Sequence, residues 1–185
     1  MDVETTRLPG VVVLTPRRFE DERGFFCETW NAETHAAAGI ILTWKQDNLS
    51  MSRSTGTLRG LHYQEPPRAQ AKLVRCSRGA ITDVILDIRR GSPTEGAWVA
   101  IDLDAATGRQ VLVPEGFAHG FVTRQPDTEV IYKCTDTYSP AHDRAIRWDS
   151  AGIDWKLDAP PVLSERDRSA PALDDVTSPF VWSGT

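Results

Sequence analysis

Two of the four histidines sit among residues that could help move a proton. His62 lies in GTLRGLHYQ, three residues after Arg59 and two after a glycine, with Lys72 and Arg75 in the next extended run. Neighbouring cations favour the neutral, proton-accepting imidazole that a general base needs near neutral pH. His119 lies in PEGFAHGF, where Gly116 and Gly120 let the backbone turn tightly around it. By contrast, His35 in an alanine-rich run and His142 after Ser-Pro-Ala read as solvated surface residues. Lys72 and Arg59 offer positive charge to an oxygen that becomes anionic, and the phenols of Tyr132 and Tyr138 can return a proton. That set suits proton abstraction beside a carbonyl, although either tyrosine reads equally well as a core or rim aromatic.

Other chemistries lack their residues. A metal centre in a small β-barrel wants about three histidines and a carboxylate, often starting from an HxH pair. His62-Tyr63-Gln64 supplies one ring, so no metal and no cofactor are expected. Neither an activated serine elbow, nor a phosphate-cradling glycine loop, nor a GxGxxG fingerprint is present.

These side chains need rigid elements to hold them, and the chain supplies short β-type runs separated by turn formers. In AITDVILDI, Thr82, Val84, Leu86 and Ile88 share one face while Ile81, Asp83, Ile85 and Asp87 share the other. Further strands are expected at 11–14, 72–76, 97–103, 110–113, 119–123 and 129–134, linked by RGSP, AATGR, PEGF and RQPD. NAETHAAAGI predicts one short helix, with Asn31 as N-cap and Gly39 as stop. From Asp158 onward Pro, Asp and Ser replace the strand pattern, which reads as a wrapping tail. The fold class is therefore all-β, a sandwich or barrel, with 1–185 forming one domain.

Composition narrows the partners. Lys plus Arg number 21 against 26 Asp plus Glu, a net charge of -5, so no global basic field exists to hold nucleic acid. The longest apolar runs are far too short to span a membrane, and no signal peptide is read at MDVETTRLPG, so a cytoplasmic protein is expected. Cys27, Cys76 and Cys134 are odd in number and widely separated, suggesting structural thiols rather than disulfides or a zinc ribbon.

Nine ordered blocks carry a resemblance: DERGFF, QDNLSMS, GTLRGLHYQ, QAKLVRCSRG, DVILDIRRGSP, VPEGFAHGF, IYKCTDTYSP, IRWDSAGIDW and LSERD. Together they closely resemble the dTDP-4-dehydrorhamnose 3,5-epimerase family over roughly Asp21 to Asp167. The resemblance implies a cupin-like double-stranded β-helix (jelly-roll) barrel, working as a homodimer without metal or cofactor. It also implies inversion of carbons 3 and 5 of dTDP-4-dehydro-6-deoxy-D-glucose. By motif, His62 is similar to the family's base, Asp167 to the carboxylate that orients it, and Tyr132 to the proton donor on the opposite face. Lys72 and Arg59 match residues near the ketone. Arg23, Glu28, Gln46, Asn48 and His119 match substrate-binding positions, and Tyr138 matches the thymine-stacking aromatic. Asp83 resembles an acid lining the same pocket. Two positions depart from the commoner pattern: Arg166 replaces the lysine of LSxKD, and Asp143 replaces a glutamate after the YSP block. Both are expected at the nucleotide or ribose, where they bear on affinity more than on chemistry. The competing expectations are a relative that inverts one carbon for an antibiotic deoxysugar, and a nucleotide-sugar-binding barrel without turnover.

Overall fold

The structure, a computed structural model, describes residues 1–184. The chain opens with β1 (Asp2–Thr5) and β2 (Val12–Thr15), continues through the hairpin β3 (Arg18–Asp21) and β4 (Gly24–Cys27), and forms the helix α1 (Ala32–Ala37). The barrel strands that follow are β5 (Gln46–Ser52), β6 (Leu58–Gln64), β7 (Lys72–Arg78), β8 (Ala80–Asp87) and β9 (Trp98–Asp104). After them come β10 (Gln110–Val113), β11 (Phe117–Thr123), β12 (Thr128–Cys134) and β13 (Asp143–Ala145), then a single helical turn, α2 (Glu165–Arg168). All paired strands run antiparallel, in one sheet ordered β1-β2-β10-β7-β12-β5 and a second ordered β13-β6-β11-β8-β9.

The main core lies between these sheets. Val13, Val74, Val111 and Val130 of the first meet Ile81, Ile85, Leu103 and Phe121 of the second. Each such side chain, when fully buried, contributes roughly 1.5–3 kcal/mol. The second sheet is apolar on its other face too, because the chain after β12 covers it. Val84 and Leu86 of β8, with Ile88 just beyond it, pack there with Trp155, Ile146, Leu163, Leu173 and Phe180. The alternation expected along β8 is thus realised, with Asp83 and Asp87 on the face of Ile81 and Ile85. The tail wraps as expected: Val162 bridges Thr57, Val181 bridges Arg90, and the Arg89 guanidinium sits 4.1 Å from the Phe117 ring and 4.3 Å from the Trp182 ring.

Asn31 caps α1 through its side-chain oxygen, which accepts from the backbone N–H of Glu33 and Thr34, and Gly39 follows with φ +80. His35 is a correction: it is 3% exposed, with its Nδ1 2.9 Å from the Asn31 carbonyl oxygen and its ring beside Trp30. The helix turns this position inward, which the polar run around it conceals.

Between β6 and β11 the backbones touch. A Cβ on Gly60 would lie 2.5 Å from the Gly120 Cα, and one on Gly120 would lie 2.7 Å from the Arg59 carbonyl oxygen. Any side chain at either position would push the strands apart. Gly120 therefore serves close approach rather than a turn, while Gly116, with φ +87, does serve the turn into β11.

Candidate active site

That close approach sets His119 of β11 directly opposite His62 of β6 in the ladder. His62 Nε2 lies 2.6 Å from Asp167 Oδ1, a carboxylate delivered by α2 from 105 residues away. Burial raises the Asp167 carboxyl, but the hydrogen bond and charge of His62, the Ser164 hydroxyl and Arg166 together outweigh it and hold the group below its ordinary value. An ionised Asp167 can only accept, so His62 Nε2 donates to it, and in the neutral form of the ring the lone pair lies on Nδ1. Among the described residues Nδ1 has no hydrogen-bond partner.

Across the barrel, the opposing sheet supplies Lys72 from β7 and Tyr132 from β12. Burial pushes the Tyr132 phenol up, so it holds its proton at neutral pH; the Cys134 thiol adds to this and Arg59 opposes it. Burial lowers the Lys72 amine, while Cys134, Asp143 and Asp83 pull it back up. His62, Lys72, His119, Tyr132, Arg59, Arg166 and Asp167 line one cavity of about 460 Å³. A second compartment of about 170 Å³ shares His62, Lys72, Tyr132 and Arg166 with it and adds Gln46, Asn48, Tyr138 and Asp143. The site is therefore bipartite, with the proton-moving groups where its halves meet.

The remaining residues take distinct places. Arg59 donates from Nε to Ser52 Oγ at 3.2 Å and from Nη2 to the Met51 carbonyl at 3.1 Å, tying β6 to β5. Gln46 Oε1 accepts from the Tyr138 backbone N–H at 2.8 Å, and its Nε2 donates to Asn48 Oδ1 at 2.8 Å. Asp83 is fully buried behind His119, with Oδ2 2.8 Å from His119 Nε2, and does not line the cavity. Arg23 and Glu28 also lie outside both compartments: Arg23 pairs with Asp21 in the β3–β4 turn, and Glu28 accepts from Asn31 and Thr34. His142 is half-buried, with Nδ1 2.8 Å from Ser139 Oγ, not a free surface ring.

Sequence reasoning missed Ser50, which lines the larger compartment with a buried hydroxyl that has no partner among the described residues. A signal was available. In QDNLSMS the residues at 46, 48, 50 and 52 alternate as a wholly polar face, the pattern of a strand that turns polar groups toward a cavity. Among the described residues no group of three or more His, Cys, Asp and Glu could hold a metal ion.

An imidazole–carboxylate pair on one sheet of a jelly-roll barrel, facing a phenol and a lysine on the other around one cavity, is the equipment of an enzyme that moves protons on a bound small molecule. The comparisons give this class its family. The family model for dTDP-4-dehydrorhamnose 3,5-epimerase matches residues 5–175. The dTDP-4-dehydrorhamnose 3,5-epimerase of Salmonella typhimurium is 47% identical over 177 residues, covering 94% of this chain and 96% of that one. The crystal structure of a Legionella pneumophila dTDP-6-deoxy-D-glucose-3,5-epimerase in complex with dTDP-4-keto-L-rhamnose superposes with a TM-score of 0.93 at 37% identity, covering 98% of this chain and 99% of that one. A 3'-monoepimerase from Streptomyces bikiniensis, in complex with dTDP-quinovose, gives a TM-score of 0.86 at 35% identity, covering 91% and 86%. The chain belongs to the dTDP-4-dehydrorhamnose 3,5-epimerase family.

Proposed function

We propose that this protein inverts carbons 3 and 5 of dTDP-4-dehydro-6-deoxy-D-glucose to give dTDP-4-dehydro-L-rhamnose, with His62 as base and Tyr132 as acid. The observation that carries this assignment is the placement of His62 and Tyr132 on opposite sheets around one cavity. His62 Nδ1 takes the proton from a carbon beside the ketone, and the freed electron pair forms an enolate on the carbon 4 oxygen. Lys72 faces that negative charge as it develops, and Asp167 stabilises the imidazolium. Tyr132 then protonates the carbon from the other face. Both carbons flank the same ketone, so once His62 has released its proton to solvent and Tyr132 has regained one from it, the same pair can act again on a ring that changes pucker. Each step only moves a proton, so the reading requires neither metal nor redox cofactor, and turnover should survive exhaustive chelation.

Tyr138, at the outer compartment, is assigned to thymine stacking, with Gln46, Asn48, Arg59, Asp143 and Arg166 around the nucleotide and sugar. Arg23 and Glu28 join this set through a homodimer. The hairpin that carries Arg23 exposes Phe19, Phe25 and Phe26, and β5 exposes Leu49 and Met51 on its outward face. A second copy packed there would bury both patches and bring the hairpin to its neighbour's pocket. The free cysteines Cys27, Cys76 and Cys134 agree with a reducing, cytoplasmic setting. Among the described residues no helix is long and apolar enough to cross a membrane.

Proton NMR of the nucleotide sugar in deuterated water tests the reading. Exchange and inversion at both carbons are expected. Inversion at one carbon would instead make the chain a single-carbon epimerase, the second reading that the Streptomyces relative favours. Binding without exchange would leave a sugar-nucleotide-binding barrel. In Tyr132→Phe, exchange should outlast inversion, because the enolate can be reprotonated from the face it left; normal inversion there would remove Tyr132 from the acid role.

A further inference from the structure

We propose that Asp143 is a positioning residue whose Oδ2 ties the stacking ring of Tyr138 to Arg166 and, through Arg166, holds Asp167 against His62. The proposal rests on the epimerase reading above. Two donors converge on that oxygen: the Tyr138 hydroxyl at 3.1 Å and the Arg166 guanidinium at 2.8 Å. Asp143 begins β13, whose Ala145 pairs with His62 in the ladder. Arg166 immediately precedes Asp167 in α2. A circuit therefore closes: His62 to Asp167 by hydrogen bond, Asp167 to Arg166 along the helix, Arg166 to Asp143 by ion pair, and Asp143 back to β6 along β13.

A single helical turn has little orientation of its own. The segment before α2 is anchored where the Leu58 backbone N–H donates to the Val162 carbonyl at 3.0 Å. The segment after α2 is anchored too, where the Arg147 backbone N–H donates to the Pro171 carbonyl at 2.7 Å; between these anchors, Asp167 meets His62 and Arg166 meets Asp143. The Asp143 side chain is only 12% exposed while Arg166 is 46% exposed, so the carboxylate is the fixed post and the guanidinium the arm that it holds. The two positions at which the sequence departs from the commoner family pattern thus form one matched contact, a shorter acid meeting a longer, forked base. A base stacked on Tyr138 restrains the phenol, its hydroxyl restrains Asp143, and the restraint reaches the carboxylate that orients the catalytic ring. Binding energy from the nucleotide end is in this way turned into positioning at the sugar.

Asp143→Asn tests the circuit, because it keeps size and an acceptor for the phenol while removing the charge that holds Arg166. The expected result is a fall in kcat of about tenfold or more, since small misplacements of catalytic groups are costly. Affinity for dTDP alone, read by calorimetry, should fall by a smaller factor than kcat does, which separates positioning from uniform binding. The downfield proton resonance of the His62 Nε2–H, shared with Asp167, should move or broaden. The double variant Asp143→Glu with Arg166→Lys should recover turnover relative to either single change. Weaker dTDP binding at unchanged kcat would overturn the proposal and make Asp143 a direct nucleotide contact, as would an unmoved imidazole resonance. If the unaltered protein binds dTDP but does not turn over the sugar, the epimerase reading fails, and the resonance comparison still decides whether Asp143 positions Asp167.

Discussion

His62–Asp167 and His119–Asp83 are the same chemical pair placed side by side, each joining a ring Nε2 to a carboxylate, at 2.6 and 2.8 Å. Their surroundings differ. The His62 side chain is 29% exposed, whereas His119 is 9% exposed over a carboxylate with no exposure at all. Asp167 arrives from the tail and is held below its ordinary value, while burial, opposed by His119 and Lys72, pushes Asp83 above its own. Asp83 Oδ1 lacks a partner among the described residues, so this second pair leaves one buried oxygen unsatisfied. An imidazole–carboxylate pair becomes a base only where the second ring nitrogen can reach a substrate and the carboxylate stays charged. His119 lines the same cavity, but burial pushes its carboxylate toward the neutral form.

The largest expected effect breaks the outer pair. His62→Ala should remove solvent exchange and inversion together, a loss of about 10²–10⁴-fold for a missing general base. His119→Ala should instead raise KM and lower the melting temperature while exchange remains measurable; loss of exchange equal to that in His62→Ala would erase the distinction between the pairs. Lys72 comes next, since it lines the same cavity from the opposite sheet. Lys72→Ala should lower kcat by about two to three orders of magnitude, the usual cost of one preorganised donor to a developing anion. An effect on KM alone would make it a binding residue.

Further from the chemistry, Tyr138→Ala should weaken dTDP binding by up to about a hundredfold, because base stacking is worth roughly 1–3 kcal/mol, while Tyr138→Phe keeps the ring and most of the affinity. Equal losses in both variants would assign the contact to the hydroxyl. The smallest effect separates the carboxylates by the sign of their pH dependence. Asp167, held low, adds stability that is present above the ordinary aspartate range and drains away as pH falls through its folded value. Asp83, pushed high, contributes stability that is present below that range and is lost as pH rises through its folded value. In thermal melts from about pH 3 to about pH 8, Asp167→Asn should cost most near neutrality and converge with the parent in acid, and Asp83→Asn should do the reverse. Parallel curves would mean that the two aspartates share one environment.

Where the sequence followed the hydrophobic pattern, it predicted the structure. β8 could be read face by face because both of its surfaces are covered, and α1 because Asn31 and Gly39 bracket it. β5 could not, because its pattern is inverted: polar residues face the cavity, and Leu49 and Met51 face outward at 63% and 44% exposure. The β3–β4 hairpin escaped for a related reason, since its aromatics do not bury within the chain. The motifs named His62, Asp167, Lys72 and Tyr132, which the structure brings to one cavity. The link from Asp143 to Arg166 was hidden, because two substitutions far apart in sequence reveal nothing of their contact until the tail is folded back.

The origin of Asp167 also sets an order of events. The barrel strands are complete by Cys134 and β13 by Ala145, yet the carboxylate that orients the base emerges from the ribosome only later, at position 167. Synthesis proceeds from the N-terminus at about 5–20 residues per second. A nascent chain can therefore assemble its sheets, and even present His62, before it holds a competent pair. On the proposed reading, a chain stopped before position 167 would carry His62 without its carboxylate, and the outer apolar face of the second sheet would also lack Leu173 and Phe180.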